Sequence, residues 1–80
     1  MPEYRFTDYF EREVLRKRPY LRREWCFRVL ASPVREERQE DNRWRFSAPI
    51  EELDGRYLRV VTLDDRLTIH NAFPDRGFTP

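Results

Sequence analysis

The sequence holds one cysteine, Cys26, so no internal disulfide can form and a secreted mini-domain stapled by bridges is excluded. It holds one histidine, His70, and with a single cysteine this leaves no Cys/His zinc site. The acids are scattered through turns and helix faces, so a carboxylate metal site is not expected either. Neither a GxSxG elbow nor a phosphate-binding P-loop occurs. Together these absences set aside metal, nucleotide-cofactor and acyl-transfer chemistry, and no cofactor is expected. No stretch approaches the roughly 18 apolar residues that a membrane span needs. Met1 is followed by charged residues rather than an apolar run, so no signal peptide is expected. The chain reads as cytoplasmic, with no membrane partner. Lysine is also nearly missing, since of sixteen basic residues fifteen are arginine and one is Lys17.

What is present fits one small folded domain spanning residues 1–80. A chain of this size buries only roughly 60% of its unfolded surface, so each large apolar side chain counts. Twelve aromatics offset the lean apolar content, because each can bury roughly 150–250 Å². Aromatics and a net charge of only +1 argue against disorder and against a bulk polycation. Arginine grips phosphate or carboxylate with a planar fork where lysine acts as a point charge. A GC-rich coding sequence would enrich arginine equally well.

The first half has helical periodicity. Asp8 with Glu11 fits an acidic capping box, and Phe10 and Val14 follow at i, i+4. Pro19 ends that helix and suits the first turn of a second one, in which Leu21, Trp25 and Val29 recur every four residues. The expected spans are Asp8 to Lys17 and Pro19 to Ala31. The second half switches to period two. Turn signals at Asp41-Asn42, Asp54-Gly55 and Asp64-Asp65 divide it into strands over Val34 to Glu40, Arg43 to Leu53, Arg56 to Leu63 and Arg66 to Phe73, with an irregular tail from Pro74. The fold class is therefore α+β: two N-terminal helices packed on one face of a roughly four-stranded antiparallel sheet.

Alternation assigns the faces. Trp44, Phe46, Ala48 and Ile50, then Leu58, Val60 and Thr62, then Leu67, Ile69, Asn71 and Phe73 should face the helices. Trp25 and Trp44 are expected as core anchors. Arg43, Arg45, Tyr57, Arg59 and His70 are left on the outer face. A two-residue Asp64-Asp65 turn would set Arg59 directly opposite His70. The Asp54-Gly55 turn needs a longer loop or a bulge at Pro49, because a two-residue loop would put Ile50 opposite Arg59.

That outer patch could carry phosphodiester chemistry without a metal. Arg59 would hold the phosphate and stabilise charge on its oxygens, and His70 would move a proton to or from the 2′-hydroxyl or leaving oxygen. Arg43 and Arg45 would support them, and Tyr57 could stack a base. The plainer alternative is a solvated sheet face that happens to carry a histidine. A second basic cluster, Arg16-Lys17-Arg18 with Arg22 and Arg23, could touch an RNA backbone or an acidic partner, or be a solvated helix face.

The stretches REVLRKRPYLRREWCFRVLASP and RWRFSAPIEELDGRYLRVVTLDDRLTIHNAFPDRGF resemble the small RelE/ParE-like toxins of type II toxin–antitoxin systems, in their compact BrnT-like branch. The features are the Val29-Leu30-x-x-Pro33 helix exit, the Tyr57-Leu58-Arg59-Val60-Val61 strand and a last strand running into Ala72-Phe73-Pro74-Asp75-Arg76. The likeness covers Phe10 to Phe78. It implies a bacterial ribonuclease acting on messenger RNA and neutralised by a small antitoxin protein, with Arg59 and His70 at the matched site positions. Arg43, Arg45, Tyr57 and Lys17 would then bind RNA. The alternative is a non-catalytic module that holds a protein partner, or a second copy in a homodimer, on the basic sheet face or the first strand.

Overall fold

The computed structural model describes residues 3–78; Met1, Pro2, Thr79 and Pro80 lie outside the described residues. Its strands are β1 (Arg5–Phe6), β2 (Arg35–Gln39), β3 (Arg43–Pro49), β4 (Tyr57–Thr62) and β5 (Thr68–Pro74). They form one sheet in the order β1-β5-β4-β3-β2. The expectation of about four antiparallel strands is therefore corrected: β2 to β5 are antiparallel, but β1 joins the far edge parallel to β5, making a mixed five-stranded sheet. Two residues are too few for alternation to announce a strand. Backbone bonds place it, Arg5 N–H to Leu67 C=O and Thr7 N–H to Ile69 C=O, both 3.0 Å.

Residues 8–17 are helical, with a π-turn over Phe10–Val14 passing into an α-turn over Leu15–Lys17. Thr7 rather than Asp8 caps this helix. Its hydroxyl accepts the Phe10 N–H at 3.1 Å and its carbonyl the Glu11 N–H at 3.1 Å. The second helix runs Arg23–Ala31, later than Pro19 suggested, because Leu21 N–H bonds back to Arg18 C=O and Pro19-Tyr20 are spent on a turn. Both helices cover the inner face. Phe10, Val14, Cys26 and Val29 from the helices and Leu58, Val60, Ile69 and Ala72 from the sheet are all but fully buried. Trp25 joins them at 8% exposure. Trp44 does not, being only partly buried at the rim of this core.

The hairpin turns differ from the sequence reading, and the differences decide where side chains point. β3 stops at Pro49, and residues 51–55 form a 3₁₀ turn (Glu51–Leu53) followed by left-handed Asp54 and Gly55. This longer loop restores parity, so that Ser47 and not Ile50 lies opposite Arg59. Between β4 and β5 the two-residue turn is absent. Leu63 N–H bonds Thr68 C=O at 2.9 Å, and the Asp65 carboxylate fixes the loop by accepting the Leu67 and Thr68 N–H groups. A bulge follows. Val61 pairs with Asn71 and Thr62 with Ile69, leaving His70 as the extra residue. Parity flips there, which buries Ala72 and turns Asn71 and Phe73 outward, against the inner positions expected for both. Leu67, also expected inside, is 37% exposed in the loop.

Candidate functional site

Among the described residues no helix covers the outer face, where Arg43, Arg45, Ser47, Tyr57, Arg59, Val61 and Asn71 stand by register with the bulge residue His70 beside them. Arg59 lies opposite Phe73, not His70. The two expected catalytic residues are three positions apart along β5, on the order of 10 Å, and each is engaged elsewhere. An Arg59 guanidinium N–H donates to the Asp75 carboxylate at 2.5 Å, in a pair whose side chains are 25% and 14% exposed. Its guanidinium carbon is 5.7 Å from the Phe73 ring centroid, and its Nε is buried with no partner among the described residues. Only one of its five donors is committed to Asp75.

His70 sits at the other end of the face. Its Nδ1 is 3.0 Å from the Thr7 hydroxyl, and its ring stacks on Tyr9 with centroids 4.9 Å apart. The Thr7 oxygen also accepts the Phe10 N–H, and its hydroxyl serves Nδ1 as donor or acceptor according to the ring tautomer. Burial, and after it the positive charge of Arg43, lowers the imidazole below its ordinary value of 6.5. The ring is therefore neutral at neutral pH.

Of the residues expected to bind RNA, Arg43 has no ion-pair partner among the described residues, and Arg45 donates to Glu37 across the β2–β3 pair at 3.0 Å. That contact, with Arg35 behind it, holds the Glu37 carboxyl below its usual range. Tyr57 is stacked on Phe78, centroids 4.2 Å apart, and Arg35 lies 5.0 Å from the Phe78 ring. The tail thus folds back over this end of the face, pinned where Asp75 N–H bonds Tyr57 C=O at 2.8 Å. Lys17 closes the first helix in the inner layer and is not part of the patch. Cys26 is wholly buried, and desolvation pushes its thiol up to about 12, so it is no nucleophile.

A second constellation escaped the sequence reading. At the C-terminal end of β5 a cleft of about 570 Å³ is lined by Arg18 and Tyr20 from the inter-helix turn, Trp25, Glu52, Leu53, Arg56, Phe73, Pro74 and Arg76. The Arg18 guanidinium is 5.8 Å from the same Phe73 ring that Arg59 approaches. Glu52, the one acid on the wall, is gripped by both terminal nitrogens of Arg28 at 2.7 and 2.6 Å, which draws its carboxyl down to about 2. Arg18 had been visible as part of a basic run. Alternation puts Phe73 on the inner face, so nothing in the sequence ties it to Arg56 and Arg76.

Among the described residues no group of three or more His, Cys, Asp or Glu side chains is placed to hold a metal ion, and no helix is long and apolar enough to cross a membrane. No family model, curated protein or solved structure matches the chain.

Proposed function

We propose that this chain is an RNA-binding protein of the small-toxin kind, holding a single strand across the outer face of its sheet in the cytoplasm and silenced there by a small acidic antitoxin. The observation that carries the reading is the open face itself: three arginines on neighbouring strands, with aromatic rings and the folded-back tail at one end and no helix over them among the described residues. Arginine forks take backbone phosphates and aromatic rings stack unpaired bases, which is how sequence-tolerant single-strand binders work. The geometry favours holding RNA over cutting it, because Arg59 and His70 do not share one phosphate. Anisotropy of a labelled 12-mer oligouridylate tests this. Wild type should bind, and Arg43→Gln/Arg45→Gln should weaken binding about tenfold or more, with a shallower salt dependence. Equal binding by the two proteins would sink the reading, and cleavage of the bound RNA would restore the enzymatic one.

A second reading has its own observation. Among the described residues β2 pairs only with β3, so its other edge is open there to a strand from a partner protein. Slowed amide exchange along Arg35–Gln39 on adding an acidic partner protein would favour it, and exchange unchanged by a bound partner would exclude it.

A further inference from the structure

Arg45 and Arg59 each face a carboxylate, but the three arginines of the cleft do not. No ion pair among the described residues involves Arg18, Arg56 or Arg76, and the Glu52 carboxylate beside them is already held by Arg28. Three guanidiniums thus line one cleft whose single carboxylate is already engaged, and an anion bound among them would supply the missing counter-charge. The rest of the wall is Tyr20, Trp25 and Phe73, with Leu53 and Pro74. A site of about 570 Å³ falls within the small-ligand range of about 300–1,000 Å³. It also leads toward the outer face, since Arg56 and Arg76 line a neighbouring cleft with Tyr57, Asp75 and Phe78.

We propose that this cleft is a nucleotide subsite. It takes one phosphate of a single-stranded RNA between Arg18, Arg56 and Arg76 and lays the attached base against Phe73 and Tyr20. The inference rests on the RNA-binding reading of the outer face and extends the path of the strand around the end of β5. A carboxylate-bearing peptide satisfies the arginines equally but leaves the flat rings without a flat partner, and this separates the two ligands.

Arg56 and Arg76 are exposed and unpaired, so Arg56→Gln/Arg76→Gln leaves the fold intact. The same 12-mer oligouridylate should bind this variant about tenfold more weakly for each guanidinium removed. The slope of log affinity against log salt should become shallower by about 0.7, the share of one single-strand phosphate. Uridine monophosphate should displace the 12-mer from wild type, while uridine should not. Unchanged affinity in Arg56→Gln/Arg76→Gln, alongside a loss in Arg43→Gln/Arg45→Gln, overturns the cleft and leaves the outer face standing. A wild type that binds no RNA overturns both. Displacement by polyglutamate as effective as by uridine monophosphate makes the cleft a carboxylate site and overturns the nucleotide.

Discussion

On the inner face Leu58, Val60, Ile69 and Ala72 of β4 and β5 are wholly buried under two helices; on the outer face Arg43 and Arg45 of β3 and Arg59 of β4 have no helix above them among the described residues. The outer face is nonetheless not a bare solvated surface. Ser47 and Val61 are only 3% and 8% exposed, and their neighbours by register are the long side chains of Arg35, Arg45 and Arg59. Arginine stems cover apolar surface while their heads stay wet. The carboxylates of Glu37 and Asp75 hold two of those heads in place. One side of the sheet thus spends its residues on stability and the other on a preorganised layer of charge. A count of basic residues does not distinguish that layer from a solvated face. Their partners do.

The comparison breaks most sharply at the two tryptophans. Trp25 lies in the core, and Trp25→Ala should cost about 3–5 kcal/mol, most of the stability of a domain this small. Trp44 lies at the rim, roofed by the Arg66 guanidinium 4.4 Å from its ring, and Trp44→Ala should cost about 1–3 kcal/mol. Denaturant unfolding of both variants decides it. Equal losses would mean that the rim and the centre of the inner face are one packed unit. Arg66 itself has a left-handed backbone (φ 62°), which its ring contact and its 2.5 Å pair with Glu36 offset.

Asp75 sharpens the outer half. Asp75→Asn keeps the shape and leaves Arg59 half-buried without a counter-charge, so stability should fall by about 1–2 kcal/mol. The same change removes a negative charge from the RNA path, so affinity for the 12-mer should rise a few-fold. A variant that loses both stability and RNA binding would show that the Arg59–Asp75 pair shapes the face rather than competing with the ligand.

Much of this architecture is legible from alternation and proline alone. Phe46, Ala48, Leu58 and Val60 fall inside because period two leaves no other choice, and Pro19 separates the helices. What could not be read was the single extra residue at His70. A bulge is set by how the Asp65-fixed loop delivers the chain into β5, and no local pattern marks it. The four-residue loop 64–67 shifts the pairing by two positions and the bulge by one more, so Arg59 faces Phe73 rather than His70. The bulge alone turns Phe73 outward, onto the cleft wall. The short parallel strand β1 was hidden for a related reason, since a two-residue strand has no period. Its consequence is that Thr7 and Tyr9 are brought onto His70.

His70 gives the smallest expected effect and the most selective one. Its imidazole is lowered from 6.5 by burial and by Arg43, so the folded protein takes up a proton less readily than the unfolded chain. Stability rises with pH wherever the unfolded state binds more protons. The contribution is therefore full above pH 6.5 and is lost as pH falls from there through the folded value. His70 is the one histidine in the chain, so between pH 5 and 6.5 no other side chain of ordinary value titrates. His70→Asn retains an acceptor for the Thr7 hydroxyl but cannot be protonated in this range. Wild type should lose stability on going from pH 7 to pH 5 while His70→Asn stays level, read as denaturation midpoints at half-unit steps. Parallel profiles would mean that the imidazolium is as well accommodated against Tyr9 and Thr7 as the neutral ring. His70 would then be free to carry its charge toward a phosphate after all.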